Sequence, residues 1–483
     1  MAVFSLLLHP LLVLVFGAAV LLRDDLAPDV RMAWIVVIVL LPYAGCGLYH
    51  LFGRANIGRA VLGRYRRVRD LVREQVAEGG AAARVLGAPR DVAALIAPPW
   101  QGAARYAASV NGFQPVPGNQ GELMAGGAEA RARMLADMDA AEREISVLYY
   151  IWLDDGTGTA VAEALMRAAR RGVACRAMVD GLGSRALLRG PLWRRMREAG
   201  VQLAVALPIR HPLKVMLTSR IDLRNHRKIT LIDGRVTYVG SQNCADEAFL
   251  VKAKYAPWVD IMLRLRGPVV AQMQLLFATD WMQATDERLD VVAEPAESLP
   301  NGFAAQVVGE GPTERRRATP QLVSTLIANA REQVTISTPY FVPDATVLEA
   351  LCTAAWRGVR VTMIFPARND SWIVAAASRS TYPRLLAAGV RIHEYRGGLL
   401  HAKTLTVDGL VTFIGSTNLD RRSFDLNFEN NVLLQDAALT AAVMARQAGY
   451  IARAEPVALE AVRRWSRPRR MWNNALATLG PVL

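Results

Sequence analysis

Two runs of nine residues hold the side chains that phosphate chemistry needs. Asn225-His226-Arg227-Lys228-Ile229-Thr230-Leu231-Ile232-Asp233 is matched by Leu400-His401-Ala402-Lys403-Thr404-Leu405-Thr406-Val407-Asp408. In each, Lys follows His by two positions and Asp follows Lys by five. Each run leads into Gly-Ser-x-Asn, with Ser241 and Asn243 in the first copy and Ser416 and Asn418 in the second. His to Ser is 15 residues and His to Asn is 17 in both copies. Two copies in register exclude coincidence. An imidazole beside an ammonium suits a bound phosphate, the Lys supplying charge and the His nucleophilic or proton chemistry.

The flanking residues read as a strand, an Asp-Gly turn and a second strand. Side chains two apart on a strand share a face, so each His points with its Lys. Asp233 and Asp408 complete the motif, but their odd offset and place at the turn mark them as local anchors rather than reacting groups. Arg supplies nearly all the positive charge, with only five Lys among 57 basic residues. That both motifs keep Lys argues for a compact ammonium at those positions.

Around the motifs the second half repeats the first. Helical patterns at 127–142 and 318–331 precede strands at 145–150 and 334–337. Arg171-Gly172-Val173 is echoed by Arg357-Gly358-Val359, and Gly200-Val201 by Gly389-Val390; a Gly closing a helix before a β-branched residue is α-to-β punctuation. The expected fold is α/β: two homologous lobes of mixed β-sheet flanked by helices. Gly200 to His226 is 26 residues but Gly389 to His401 is 12, so the first lobe carries an insert around residues 208–222. Its mixture of apolar and basic residues fits either a membrane-interface segment or a packing loop.

The chain has 483 residues, room for two or three domains, and a net charge of +14 that calls for an anionic partner. The four Cys (Cys46, Cys175, Cys244, Cys352) are scattered, which predicts neither a disulfide framework nor a Cys-based metal site. No two of the six His are spaced as in a zinc helix, and no metal or cofactor is expected. Residues 1–22 and 32–52 are apolar and long enough to cross a hydrocarbon core of roughly 30 Å, which predicts a transmembrane helical hairpin. Seven Arg between Arg54 and Arg73 place the N-terminus and the large domain that follows the two spans on the cytoplasmic side. The organisation read from the sequence is two transmembrane helices (1–53), a basic helical linker (54–110), a first lobe (111–290), a linker (291–315) and a second lobe with a basic tail (316–483). Arg and Trp in residues 463–472 fit an interfacial segment or a solvated tail, with Pro468 interrupting any long helix.

The doubled His-x-Lys-x4-Asp with Gly-Ser-x-Asn resembles the phospholipase D superfamily. The N-terminal hairpin, Trp258-x-Asp260, Thr338-Pro339-Tyr340-Phe341-x-Pro343 and the run from Asn418 to Glu429 resemble its bacterial cardiolipin synthase branch. The resemblance covers nearly the whole chain. It implies a pseudo-twofold pair of lobes with both motifs at one cleft, and a catalytic set of His226, Lys228, Asp233, His401, Lys403 and Asp408. One His attacks phosphorus to give a phosphatidyl-histidine while the other handles protons. Lys228, Lys403, Asn243 and Asn418 hold phosphoryl oxygens, with Ser241 and Ser416 lining the site. Glu429, 28 residues after His401, and Asp260, 34 after His226, are the implied carboxylates orienting these imidazoles. The implied activity joins two phosphatidylglycerol molecules into cardiolipin, releasing glycerol, on an anionic membrane surface. A hydrolase using water, or a transferase using phosphatidylethanolamine or another alcohol, shares the same residues. Nucleic acid is not the expected partner, and a non-enzymatic scaffold would not keep both motifs intact. Oligomeric state and the identity of the attacking His are left open.

Overall fold

In the computed structural model the described residues are 2–26, 28–53, 57–77, 85, 92–209, 219–220, 222–289, 297–315 and 317–478. The first repeat supplies β1 (Val116–Leu123), β2 (Glu144–Tyr149), β3 (Ala174–Asp180), β4 (Gln202–Ala206), β5 (Arg224–Asn225), β6 (Lys228–Ile232), β7 (Val236–Gly240), β8 (Trp258–Val259) and β9 (Met262–Arg266). The second supplies β10 (Phe303–Glu310), β11 (Gln333–Ser337), β12 (Phe341–Val342), β13 (Arg360–Pro366), β14 (Arg391–Tyr395), β15 (Leu399–Leu400), β16 (Thr404–Val407), β17 (Val411–Gly415), β18 (Leu419–Asp420), β19 (Asn427–Gln435) and β20 (Ala454–Pro456).

Most of these strands join one sheet of 16, ordered β20-β14-β13-β11-β16-β17-β19-β10-β1-β9-β7-β6-β2-β3-β4, with β5 on β19. Apart from β20, which adds an antiparallel strand at one edge, the order read inward is the same from either side. β4-β3-β2 are parallel, then β6, β7, β9 and β1 alternate, and β14-β13-β11-β16-β17-β19-β10 repeats that scheme. The antiparallel β1–β10 pair closes the two halves into one sheet. The antiparallel β6 and β7 lie in the interior of the sheet, with a strand on either side of each, and both are buried along their whole length.

One core packs the helices Gly127–Asp139, Gly156–Arg170 and Pro191–Glu198 on the first repeat, and a second packs Pro98–Asn111, Ala318–Asn329 and Ala345–Trp356 on the other. The third core draws on both repeats and centres on the helix Val269–Thr285, in which 12 of 17 residues are buried. Such a helix is apolar on nearly all sides because sheet and helix enclose it. Both predicted Asp-Gly turns form, with Asp233 at φ 54° and Gly234 at 65°, and Asp408 at 49° and Gly409 at 66°. Positive φ at both central residues is the hairpin geometry that matches strand twist.

The described residues of Met1–Leu62 and Ile209–Leu223 form one compact unit, and those of Gly63–Pro208 and Arg224–Pro481 a second. In the first unit α1 (Ala2–Leu21) packs against α2 (Pro28–Leu40) and α3 (Pro42–Leu48), with Val20, Ile38, Cys46 and Tyr49 at the centre. The second apolar stretch, expected as one helix, is broken. Leu41 leaves helical geometry at φ −131°, ψ 65°, because Pro42 disfavours helix in the residue before it. The chain resumes as α3 and a single π-turn, Tyr49–Gly53. Among the described residues no helix is long and apolar enough to cross a membrane. Most of the insert expected at 208–222 lies outside the described residues. At its described end Arg220 pairs with Asp222 at 2.5 Å and donates to the Phe52 carbonyl at 3.1 Å.

The basic C-terminal run is a helix, Arg467–Thr478. No long helix spans 463–472, as expected: the helix Leu459–Arg463 ends before Pro468, which lies in the first turn of the next helix, where the absent N–H has no partner to lose.

Candidate active site

His226 sits between two short β pairings that fix its backbone. Ahead of it β5 runs parallel to the start of β19, and the His226 N–H donates to the Phe428 carbonyl at 2.9 Å. Behind it β6 is clamped antiparallel to β2, with Lys228 opposite Tyr149. His401 is held the same way. β15 runs parallel to β8, and the His401 and Ala402 N–H groups donate to the Val259 carbonyl at 2.8 and 3.0 Å. Each histidine is therefore strapped to a strand from the other repeat.

That crossing decides the carboxylates. His226 Nδ1 bonds Glu429 Oε2 at 2.9 Å, and His401 Nδ1 bonds Asp260 Oδ1 at 2.6 Å. The pairing expected within each repeat, Glu429 with His401 and Asp260 with His226, is reversed. Asp260 directly follows β8, which pairs with the strand leading to His401, and Glu429 lies on β19, which pairs with the strand leading to His226.

Ser241 and Ser416 also take a role other than lining the phosphate. Ser241 Oγ donates to Asp260 at 2.6 Å and Ser416 Oγ donates to Glu429, while each hydroxyl accepts a backbone N–H, from Ile261 at 3.1 Å and Asn430 at 2.9 Å. Both serines are wholly buried behind the carboxylates. Asn427 Nδ2 adds a third donor to Glu429 at 3.2 Å.

Lys228 and Lys403 are buried on the same strand face as their histidines, and each Nζ donates to its histidine's own carbonyl at 2.6 Å. Asn430 brackets Lys228 by bonding its N–H at 2.9 Å and its carbonyl at 3.1 Å. Asp233 and Asp408 stand at the far ends of β6 and β16. Asp233 accepts from the N–H groups of Glu142, Arg143 and Glu144 at 2.8–3.0 Å, and Asp408 from those of Arg331, Glu332 and Gln333 at 2.8–2.9 Å. The structure does not bring them to the histidines; they fix the hairpin that carries them.

Both histidines, with Asn243 and Asn418, line one cleft of about 640 Å³. Asn243 Oδ1 accepts from the Ile151 N–H at 3.3 Å, and Asn418 Oδ1 is buried without a partner among the described residues. Two aromatic rings that the sequence reading did not assign to the site complete the walls. Tyr150 lies edge-on to His226, ring centres 4.8 Å apart, and Trp258 is tilted against His401 at 4.6 Å. The signals were present: Tyr150 directly follows the strand beside the motif strand, and Trp258 stands two residues before Asp260. Beneath the site the Arg227 guanidinium, also overlooked, is buried against Asp280 at 2.5 Å and donates to the carbonyls of Glu429 and Glu310 at 3.1 Å.

Burial pushes His226 down to about 4, opposed only in part by Glu429, and burial followed by Lys403 lowers His401 as well. Burial would raise Asp260, but His401, Lys403 and Ser241 outweigh it and hold the carboxylate at about 2; His226, Lys228 and Ser416 likewise hold Glu429 low. Burial brings Lys228 down to about 8 and Lys403 to about 7. At neutral pH the resting site thus holds two neutral imidazoles, each donating from Nδ1 to an ionised carboxylate, with Nε2 left as a lone-pair nitrogen. One nitrogen base can attack while the other manages a proton, beside ammonium groups that attract an anionic phosphodiester.

The family profile described as "Cardiolipin synthase, PLD-like domain" matches residues 134–281 and 323–448, and one described as "Phospholipase_D-nuclease N-terminal" matches residues 12–54. A cardiolipin synthase A of Edwardsiella ictaluri (strain 93-146) is 36% identical over 439 residues, covering 90% of this chain and 88% of that one. A cardiolipin synthase A of Yersinia pseudotuberculosis serotype O:1b (strain IP 31758) is 36% identical over 465 residues, 95% of this chain and 93% of that one. Among solved structures, a phosphatidylserine synthase of Haemophilus influenzae Rd KW20 shares the fold, with a TM-score of 0.60 at 15% identity, over 79% of this chain and 99% of that chain.

Proposed function

The chain belongs to the cardiolipin synthase family of phospholipase D-like proteins, and we propose that it transfers a phosphatidyl group between two phosphatidylglycerol molecules, giving cardiolipin and glycerol. The observation that carries this reading is the pair of imidazole–carboxylate couples facing one cleft, each assembled across the two repeats.

In the proposed reaction His226 Nε2 attacks phosphorus and forms a P–N bond as the P–O bond to glycerol breaks. His401, protonated at Nε2 when the phosphodiester occupies the cleft, gives that proton to the departing glycerol oxygen. The neutral His401 then takes the proton from a hydroxyl of the second phosphatidylglycerol, whose oxygen displaces His226, leaving His226 neutral and His401 protonated as at the start. Lys228 and Lys403, with Asn243 and Asn418, are assigned to the non-bridging oxygens. Glu429 and Asp260 fix the tautomers, and Ser416 and Ser241 fix the carboxylates. Symmetric motifs do not choose the nucleophile; His226 is assigned as the attacking base by analogy with the superfamily.

Residues 1–53 are read as a membrane hairpin of two spans that holds the enzyme at a bacterial inner membrane, catalytic part toward the cytoplasm. Its exposed Leu11, Leu14, Leu21, Leu22, Leu40 and Leu41 favour lipid over water, and the Arg-rich residues 54–73 favour that orientation. Residues 111–290 are read as one catalytic repeat and 316–483 as the other, preceded by the linker 54–110; the segment 291–315, expected as a linker, instead contributes β10 to the second repeat, because Phe303–Glu310 pairs with both β1 and β19 in the sheet.

Purified enzyme incubated with phosphatidylglycerol in vesicles, without divalent metal, is expected to yield cardiolipin and glycerol by mass spectrometry. His226→Ala and His401→Ala should each abolish the product. Phosphatidic acid as the main product would overturn the transferase reading and make water the acceptor.

A further inference from the structure

Beyond the N-terminal helices, the described residues expose seven large apolar side chains, and six of them, Leu182, Leu250, Val251, Trp372, Met471 and Trp472, gather at the active-site cleft. Leu182 and Val251 line the cleft itself, and Leu250 precedes Val251 in the 3₁₀ turn Leu250–Tyr255. Trp372 follows the cleft residue Ser371 and stacks on Trp472, ring centres 5.7 Å apart and 13° from parallel, with Met471 next in the chain. These two parts of the rim are tied together where Lys252 meets Asp370 at 2.5 Å. Soluble surfaces seldom collect apolar side chains in one place without a partner for them.

We propose that this rim docks on an anionic phospholipid bilayer, so that a lipid headgroup reaches the histidines while its acyl chains stay among lipids. The inference rests on the phosphatidyl-transfer reading and adds a surface to it. Charge selects the occupant. Lys254 is exposed on the 3₁₀ turn, two positions from Lys252, whose charge Asp370 balances, and Arg467, Arg469 and Arg470 are exposed on the helix that carries Trp472. Arg469 also lies over the Trp465 ring at 4.2 Å. Apolar and indole groups flanked by Lys and Arg suit the boundary between acyl chains and anionic headgroups, where each kind of side chain meets its own solvent. The rim is continuous with the cleft that must admit a lipid.

The test uses the full chain in vesicles of phosphatidylglycerol and phosphatidylcholine containing doxyl-labelled phosphatidylcholine. All four native cysteines are buried, so a bimane probe can be directed to Leu250→Cys or Trp472→Cys, with Gln202→Cys, at the end of β4 remote from the cleft, as the control. Docking predicts strong quenching at the two rim positions and little at Gln202→Cys. A second measurement joins Leu250→Ser, Met471→Ser and Trp472→Ser in one protein. Phosphatidyl transfer should fall by about tenfold in vesicles, yet stay within about twofold of wild type in detergent micelles, where lipid access needs no docking. Unquenched rim probes, or equal loss in both media, would overturn the proposal, as would quenching replaced by cross-linking between copies of the chain. A wild-type enzyme that turns over no phosphatidylglycerol in either medium would overturn the functional reading instead, and the quenching would still report on the rim.

Discussion

At the scale of single residues the site is organised around where protons rest. Each Nδ1 faces a carboxylate that is itself held by a serine hydroxyl, so the tautomer is fixed before substrate arrives. Glu429→Gln keeps the shape but turns an acceptor into a group that also donates, and it removes the charge that stabilises a forming imidazolium. The first release of glycerol in a single turnover is expected to slow by about 10²-fold or more, with unchanged secondary structure by circular dichroism. An unaltered first turnover would remove Glu429 from the attacking couple. The lysines set the alkaline limit. With Lys403 at about 7 and Lys228 at about 8, raising the pH strips the charge that holds the phosphodiester. The rate constant kcat/KM should therefore decline through this window. A profile that stays flat to about pH 9 would show that neither ammonium is needed. The linkage sign is opposite for folding. Between these lowered values and the ordinary lysine value of 10.5 the unfolded chain holds more protons than the native one, so these two groups favour the native state more as pH rises through that interval.

At the scale of elements, the strand–turn–strand unit is a rigid mount. Asp233, in left-handed backbone at the turn, gathers three N–H groups from the start of β2, and Asp408 does the same for β11. Each carboxylate thereby locks a motif hairpin to the neighbouring strand of its own repeat. Asp233→Ala leaves those donors without their partner and is expected to cost about 2–4 kcal/mol, read as a lower Tm in a thermal melt. KM should change little below the melt, because the carboxylate is remote from the cleft. A variant with native Tm and lost activity would return Asp233 to the reacting groups. The broken second apolar stretch belongs to this scale too: Pro42 interrupts what composition alone presents as one continuous run.

At the scale of the whole molecule, duplication produced one sheet rather than two independent ones, because the β1–β10 pair joins the halves edge to edge. Neither repeat holds a complete site, since each lacks the carboxylate for its own histidine. Membrane attachment is assigned to residues 1–53. Deleting them should release most of the protein from membranes at high salt, while transfer in detergent micelles stays within about threefold of wild type. If the shortened chain still sediments with membranes, attachment by other surfaces dominates, and the cleft rim is the first to test.

The sequence by itself determined the duplicated chemistry, the α/β class and the turns. These depend on local facts: which residue types stand two apart on a strand, and which dipeptides accept positive φ. The roles of Asp233 and Asp408 at the turns were legible for the same reason. Only the tertiary structure decided which carboxylate serves which histidine, that Ser241 and Ser416 stand behind those carboxylates, and that Tyr150 and Trp258 wall the rings. Spacing along the chain favoured partners within a repeat. The pairing of β5 with β19 and of β8 with β15 joins residues about 140 to 200 positions apart, and such long-range register is set by how the whole sheet closes.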